Sequence, residues 1–370
     1  MKLSVLLSAI RPIEVIGNSE IEITGIQFDS RKIVAGNLFV AQRGTSVDGH
    51  DFIDNCITRG AIAVVCERTD TIHITGATIV VVKNSDQALG LLANQWYCCP
   101  SQHLTLVGVT GTNGKTTIAT LLYKMVRAMG KKAGLLSTVV NYVNDESIAS
   151  THTTPDALAL NELLARMVGQ GCEYAFMEVS SHSIAQERIA GLDFDGALFT
   201  NLTRDHIDYH KTFDNYRDTK KRLFDGLKKR AFAITNKDDK NGEVMVQNCK
   251  AKVHTYSTRA IADFKAKIME EGFDGMLLQI NGQEVFVPLV GRFNVSNLLC
   301  IYGAAQCLGF EPMETLRVMS TLTAVNGRFE AIHSAKGWTG IIDYAHTPDA
   351  VDNVIQTINE IRKKGTKLIT

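Results

Sequence analysis

The sequence predicts an α/β protein in three parts. These are a small N-terminal α/β domain, a central parallel-sheet ATPase domain with a phosphate-binding loop (P-loop) and a small β subdomain, and the start of a third, Rossmann-like α/β domain. Three observations lead there. Apolar strand-like runs alternate with helical patterns over most of the chain, as in a parallel sheet covered by helices. One such run opens straight into a glycine-rich turn, a lysine and a helix: Gly108-Val109-Thr110-Gly111-Thr112-Asn113-Gly114-Lys115-Thr116-Thr117. The length, 370 residues, suits two or three domains.

Composition bounds the rest. Hydrophobic residues make up 45% and charged residues 21%, which is globular and excludes wholesale disorder. Lys+Arg and Asp+Glu both number 39, so there is no net basic field to gather nucleic acid or an anionic membrane. No apolar run approaches the roughly 18 residues of a membrane span. Met1 to Ile10 is short, carries Lys2 and runs into Arg11-Pro12, which predicts a packed amphipathic helix and not a signal sequence. The eight cysteines form no C-x-x-C pair, and runs such as Val64-Val65-Cys66 predict small buried hydrophobes in a reducing cytoplasm.

In residues 1–101, Ile21 to Ile26 alternates apolar and polar and reads as a half-buried strand. Asn37 to Ala41 and Ala61 to Cys66 are apolar strands. Asp51 to Arg59 between them is helical, with Gly60 as its stop. Residues 102–330 hold the central domain. Leu104 to Val109 is a buried strand, and Thr116 to Met129 is a helix closed by Gly130. Tyr174 to Val179, Gly196 to Asn201 and Ala231 to Thr235 are further strands. Residues 252–290 read as a small β subdomain ahead of a long helix from Asn294 to Leu308. In 331–370, Gly340 to Asp343 is a strand, and Pro348 to Arg362 is a helix with Thr347 as N-cap and Pro348 at N1. Lys367 to Thr370 is a second strand. One βαβ unit cannot bury its own faces, so this region is expected to be the beginning of a larger, here incomplete, domain.

The glycine loop is the sharpest chemical signal. Glycines let backbone N–H groups turn toward phosphate, and the helix N-terminus adds partial positive charge. Lys115 is placed to reach β- and γ-phosphates, and the Thr116 hydroxyl to bind Mg²⁺. Val109 stands where the strict motif has its first glycine. Glu178-Val179-Ser180-Ser181-His182 ends a strand, where ligands of open α/β sheets bind, and its carboxylate suits a divalent cation. Asp205, His206, Asp208 and His210 lie within six positions after another strand, a metal-ligand pattern. Tyr216 to Phe224 reads on its own as a solvated basic helix turn.

Asp29-Ser30-Arg31, Gly111 to Thr117, Thr153-Thr154-Pro155-Asp156 and Glu178 to His182 are followed by Thr200-Asn201-Leu202 and Asp205 to His210. Lys220 to Phe224, Gly291 to Asn297, Gly327-Arg328-Phe329-Glu330 and Asp343 to Ala350 complete the series. In that order it resembles the Mur ligases, and within them the branch that adds the third residue of the peptidoglycan stem peptide.

The resemblance implies a cytoplasmic, monomeric, ATP-dependent carboxylate–amine ligase of cell-wall synthesis. It implies no nucleic-acid partner and no membrane insertion. UDP-MurNAc-L-Ala-D-Glu, ATP and an amino acid, meso-diaminopimelate or L-lysine, would be its substrates. Ser30 would meet the uridine. Thr153, Thr154, Ser180, Gln186 and Arg188 would hold pyrophosphate, sugar and peptide, although Thr153-Thr154-Pro155 also reads as a helix N-cap with Pro at N1. Gly111, Thr112, Asn113, Gly114, Lys115, Thr116 and Thr117 would hold the ATP phosphates. Asn294, Arg328, Asp343 and His346 would meet adenine, phosphate and ribose.

Two Mg²⁺ ions are implied, one on Thr116 and Glu178, the other on His206 and Lys220 as a carbamate. The catalytic set would then be Lys115, Glu178, His206 and Lys220. A desolvated lysine loses its proton readily, and its neutral amine can take up CO₂. The family reads its amino acid mainly with the C-terminal domain, so the choice of amino acid stays open and weak turnover is expected of this stretch alone. A folylpolyglutamate synthetase-like ligase, a metallohydrolase built on Asp205 to His210 and a non-catalytic nucleotide-binding module are the rival readings.

Overall fold

The computed structural model describes all residues except Thr45, Ser46, Thr151, Thr347, Lys363 and Lys364. The N-cap expected at Thr347 therefore lies outside the described residues. Two compact units form, the first from 1–103, 154–169 and 182–193, the second from the remainder.

The first unit is built on five strands in the order Glu14–Ile16, Thr78–Val81, Ala63–Cys66, Asn37–Val40, Gly25–Gln27. All neighbours are parallel except the first pair. Side chains alternate across such a sheet. Leu38, Val40, Ala63, Val65 and Val80 pack one face against helix Ser85–Trp96, while Phe39, Val64, Cys66 and Ile79 join Ile53 and Cys56 of helix Ile53–Thr58 on the other. The apolar runs at 37–41 and 61–66 thus read correctly, because burial on both faces removes alternation. The alternating run at 21–26 does not form the strand expected of it. Its strand is Gly25–Gln27, and Ile23 is buried against the short helix Leu3–Leu7, in which Leu3 and Leu6 face the core.

The second unit carries a central parallel sheet in the order Lys252–Ser257, Phe232–Asn236, Gly196–Phe199, Thr105–Thr110, Tyr174–Glu178, Ala133–Leu136. A hairpin, Val140–Val143 with Glu146–Ala149, extends one edge. Phe264–Gly272, Gly275–Ile280 and Gln283–Val287 extend the other as a meander, so the expected β subdomain continues the sheet. Helices Lys115–Ala128 and Arg292–Cys307 bury Ile118, Leu122, Val126, Leu298 and Ile301 in one core with Val107, Leu198 and Ile234. From Thr105–Thr110 the chain crosses to one side of the sheet first and later to the other. That strand is the switch point, where open α/β sheets bind ligands at strand carboxyl ends.

Near the C-terminus, Thr339–Ile342 pairs antiparallel with Glu330–His333, and helix Pro348–Ile361 follows. Lys367 to Thr370 takes no regular structure, against expectation: an extended run becomes a strand only where a ladder partner is available. No helix among the described residues is long and apolar enough to cross a membrane. Cys56, Cys66, Cys172 and Cys300 are buried as expected, whereas Cys98 is exposed.

Candidate active site

The carboxyl ends of the three central strands of the second unit converge. Thr105–Thr110 runs into the glycine loop, which ends at Gly114, the left-handed cap (φ +89°) of helix Lys115–Ala128. A side chain at Gly114 would strike Asn297 Oδ1, and one at Gly111 (φ +148°) would collide with Thr200 Oγ1 and the Asn201 backbone. Both glycines are thus required by close approach as well as by backbone angle.

A cavity of about 630 Å³ opens over this loop. It is lined by Lys115, Thr116, Glu178, His206, Arg328 and His346, among others. Thr112, Asn113, Gly114, Thr117, Thr153 and Asp343 also reach it. The structure therefore brings together most of the residues that the sequence assigned to nucleotide and metal.

Lys115 Nζ donates to Gly111 O (2.9 Å) and Thr112 O (2.7 Å). Burial holds its ammonium below the usual lysine value; Glu178 and Asp205 oppose that and Arg328 adds to it. Arg328 Nη2 donates to Thr116 Oγ1 (3.0 Å), its guanidinium lies 5.1 Å from the Tyr344 ring, and its buried Nε has no hydrogen-bond partner. Glu178 is 1% exposed, and its Oε1 accepts from Thr138 N (2.7 Å); the Thr138 hydroxyl donates to Thr153 Oγ1 (3.1 Å). Asp343 accepts from Phe329 N and Ala345 N (both 2.7 Å), which fixes the turn after the hairpin. His346 Nδ1 lies 2.9 Å from Tyr344 O.

Lys220 is no solvated charge. Helix Phe213–Asp225 buries it to 1% exposure behind the loop, where Nζ donates to Gly111 O (2.9 Å) and sits 4.8 Å from the Tyr216 ring. Burial first, then the charge of Lys115, drives its pKa well below the ordinary lysine value, against a smaller pull from Asp205. Its neighbour Lys221 instead pairs with Asp225 at 2.5 Å. Tyr216 had no assigned role in the sequence. Its hydroxyl lies 3.1 Å from Thr112 Oγ1, and its ring stands edge-on to His206.

His206 caps helix Ile207–His210 in a left-handed conformation (φ +52°), unusual for a residue with a side chain. Burial lowers its pKa from the ordinary 6.5, with Asp205 opposing and Lys220 and Lys115 assisting, which favours the neutral imidazole. The four-residue cluster read from Asp205 to His210 does not assemble. Among the described residues no group of three or more His, Cys, Asp or Glu is placed to hold a metal ion. Residues of a short helix point outward around its axis, and His210 turns instead onto the Tyr216 ring at 5.3 Å.

Other expected residues lie elsewhere. Asn294 is buried, donating to Val290 O (2.8 Å) and accepting from Asn297 Nδ2 (3.0 Å), while Asn297, Phe293 and Ser296 reach the cavity. The lining residues stand one position before and two and three positions after Asn294 on the same helix. In the first unit, Ser30 starts a 3₁₀ turn, Ser30–Lys32, capped by Asp29. Arg188 Nε (2.9 Å) and Nη2 (2.6 Å) both donate to Gln186 Oε1, and Nη1 donates to Thr154 O (2.7 Å). Ser180 follows the strand Tyr174–Glu178 and is partly buried. Thr154 is not the helix cap: helix Ala157–Gly169 is capped by Asp156, whose carboxylate accepts from Ala159 N (3.0 Å). A carboxylate nearer the first turn displaces the threonine from that role. Among the residues without an assigned role, Thr138, Thr200, Asn201 and Tyr344 also line the cavity. Thr200, Asn201 and Tyr344 fall in the motifs quoted above after strands, and Thr138 carries no such signal.

A glycine loop at the switch point of a parallel sheet, with desolvated lysines and an arginine around it, defines a nucleotide-using enzyme of the α/β class. The chain belongs to the Mur ligase family. The family's middle domain matches 109–305, its "Mur ligase family, catalytic domain" matches 22–97, and its glutamate ligase domain matches 327–370. Mur ligases are ATP-dependent, amide-forming ligases, and this chain is one of them.

The UDP-N-acetylmuramoyl-L-alanyl-D-glutamate--2,6-diaminopimelate ligase of Parabacteroides distasonis is 58% identical over 370 residues, which is 100% of this chain and 76% of that protein. A solved structure of a ligase of the same name superposes with a TM-score of 0.82 at 28% identity, over 98% of this chain and 75% of that one. The Mycobacterium tuberculosis folylpolyglutamate synthase complexed with ADP and AMPPCP superposes less well. Its TM-score is 0.60 at 15% identity, over 74% of this chain and 70% of that one, a likeness of fold alone.

Proposed function

We propose that the chain joins 2,6-diaminopimelate to the D-glutamate γ-carboxylate of UDP-MurNAc-L-Ala-D-Glu, at the expense of ATP, in the cytoplasm and as a monomer. The observation that carries the reading is the single cavity holding Lys115, Thr116, Glu178, His206 and Arg328, with Lys220 buried against the same loop. The curated relatives named for diaminopimelate favour that amino acid over L-lysine, which the sequence had left open. The division at 101 and 330 belongs to the same proposal: 1–101 receives the UDP-sugar, 102–330 the ATP, and 331–370 begins the part that meets the amino acid.

The loop and first helical turn bind the triphosphate, and Lys115 leaves its loop carbonyls to follow the β- and γ-phosphates. Arg328, held at the Thr116 hydroxyl and with a donor to spare, meets the transferring phosphoryl group. The γ-carboxylate attacks the γ-phosphorus, giving an acyl phosphate and ADP. The amine of the incoming amino acid then attacks the acyl carbon and expels phosphate. Fixed positive charge on the transferring group carries most of the acceleration.

The donors fit Mg²⁺, because the Thr116 hydroxyl and the Glu178 carboxylate are hard oxygen ligands on one cavity. His206, neutral, and Lys220, once carbamylated, would hold a second ion. Bound Mg²⁺ supplies charge neutralisation on the phosphates. Lys220 reaches the carbamate by attack of its neutral amine on CO₂ with loss of one proton.

The test is ADP release by the full-length protein. It should require UDP-MurNAc-L-Ala-D-Glu and proceed with diaminopimelate at least about tenfold faster than with L-lysine, a difference of about 1.4 kcal/mol in barrier. ADP release indifferent to the UDP-sugar would end the reading.

A further inference from the structure

The glycine loop does not stand alone. The two residues that follow strand Gly196–Phe199 grip it at several points. Thr200 Oγ1 donates to Asn113 O at 2.6 Å. The Asn201 carboxamide takes both main-chain groups of the same residue: Oδ1 accepts from Asn113 N (3.0 Å) and Nδ2 donates to Asn113 O (3.2 Å). Asn201 O accepts from Thr112 N (2.8 Å). Thr200 is itself anchored, since its carbonyl accepts from Asn236 Nδ2 (2.7 Å) and from the Tyr256 hydroxyl (3.4 Å), both on neighbouring strands of the sheet.

We propose, building on the ligase reading above, that Thr200 and Asn201 are positioning residues for phosphoryl transfer, a clamp that sets the shape of the phosphate loop from the adjacent strand. The argument is one of donors. Thr112 N–H and Asn113 N–H are satisfied by Asn201, so they are not the amides that meet the nucleotide. The donors left for phosphate are those of the first turn of helix Lys115–Ala128, which have no partners inside the helix. Their direction depends on where Asn113 sits, and the clamp decides that.

Gly111 fits the same account, because it lacks a side chain at the point where Thr200 presses against the loop. The clamp also reaches the second half of the site. Thr203 N donates to Thr112 Oγ1 (3.0 Å) two residues before Asp205, so a loop displaced at Thr112 and Asn113 also displaces the segment leading to His206.

The experiment compares Thr200→Val, Thr200→Ser and Asn201→Ala in the full-length protein. Affinity for ATP is read with a fluorescent ATP analogue, and turnover by ADP release. Thr200→Val keeps shape and removes one donor, so ATP affinity should fall about 3- to 10-fold, with Thr200→Ser within about twofold of the parent. Asn201→Ala removes both side-chain contacts to Asn113 at once, leaving only the main-chain bond to Thr112, and should lower kcat about 10- to 100-fold, the scale of a misplaced reacting group. In all three the KM for the UDP-sugar and the melting temperature should stay near the parent values, which a general loss of structure would not allow. Parent-like ATP affinity and kcat in Thr200→Val and Asn201→Ala would overturn the clamp, and so would a Thr200→Ser variant as weak as Thr200→Val. Should Asn201→Ala fail to fold, the threonine pair still decides. The affinity arm stands apart from the ligase reading: a parent that binds ATP without UDP-sugar-dependent turnover removes the substrate assignment and leaves the clamp to be judged by affinity.

Discussion

The cavity of the second unit and the polar face of the first prepare for ligands by opposite means. Around the glycine loop, folding has desolvated basic groups in advance: Lys115 and Lys220 are both held below the usual lysine value by burial. Arg328 keeps one buried donor unused. In the first unit the donors expected to meet the UDP-sugar are engaged with their own neighbours. Arg188 donates twice to Gln186 and once to the Thr154 carbonyl. The first arrangement gains when an anion arrives, because the buried charge of Lys115 and the unused Arg328 donor find a partner. The second gains only the difference between the bonds a ligand offers and those it replaces. On the proposed reading the glycine-loop cavity would control rate, and the residues around Arg188 would control selectivity at modest energy.

The comparison breaks most visibly at Lys115. Lys115→Ala removes a fixed charge from the point where charge develops, so kcat should fall about 10²- to 10³-fold, the scale found for removing one preorganised donor. Steady-state ADP release with both other substrates saturating measures it. A loss under about tenfold would show that the loop amides and Arg328 suffice, and the contrast between the two regions would fail.

Arg188→Ala should act on the other side of the contrast. It leaves Gln186 Oε1 and the Thr154 carbonyl without this donor and removes the guanidinium expected on the UDP-sugar. One charge-assisted hydrogen bond is worth roughly 1.5–3 kcal/mol, so the KM for UDP-MurNAc-L-Ala-D-Glu should rise about 10- to 100-fold. The KM for ATP should stay within about twofold of the parent. An ATP KM that rises in step would mean that the two regions are not energetically separate.

How far the site was legible in the sequence follows the same division. The glycine loop and Glu178, which line one cavity with Arg328, carry local signals, because a strand, a turn and a helix leave a lysine few positions to occupy; Arg328 is singled out only by family resemblance. Lys220 was readable only through family resemblance, since Lys220-Lys221-Arg222 looks like a solvated run. Burial of Lys220 against the glycine loop and pairing of its neighbour Lys221 with Asp225 are decided by the packing of helix Phe213–Asp225, which lies outside any local pattern. The resemblance points to Asn294 for the nucleotide, whereas Asn297 lines the cavity, because helical phase is set by tertiary packing. The parallel strands at 37–40, 63–66, 105–110 and 174–178 were visible as apolar runs. The run at 21–26 and the tail at 367–370 were misread, because alternation or apolarity marks a strand only where a neighbour offers a ladder.

The smallest effect expected is thermodynamic and concerns Lys220. A lysine buried with its pKa far below the unfolded value binds fewer protons folded than unfolded, so stability rises with pH across the interval between the two values. At pH 7 the buried amine therefore costs stability that an apolar side chain would not. In CO₂-free buffer, where no carbamate forms, Lys220→Met should melt a few degrees higher than the parent, on the order of 2–4 °C per kcal/mol recovered. The gain should shrink as pH climbs toward the ordinary lysine value, where the unfolded chain also loses its proton. The same substitution should abolish turnover, which separates the stability of this position from its use. Calorimetric melting of both proteins from neutral to alkaline pH provides the measurement. A Lys220→Met variant less stable than the parent at pH 7, or a difference that grows with pH, would mean that the Gly111 carbonyl bond outweighs desolvation and that Lys220 is held as a structural ammonium.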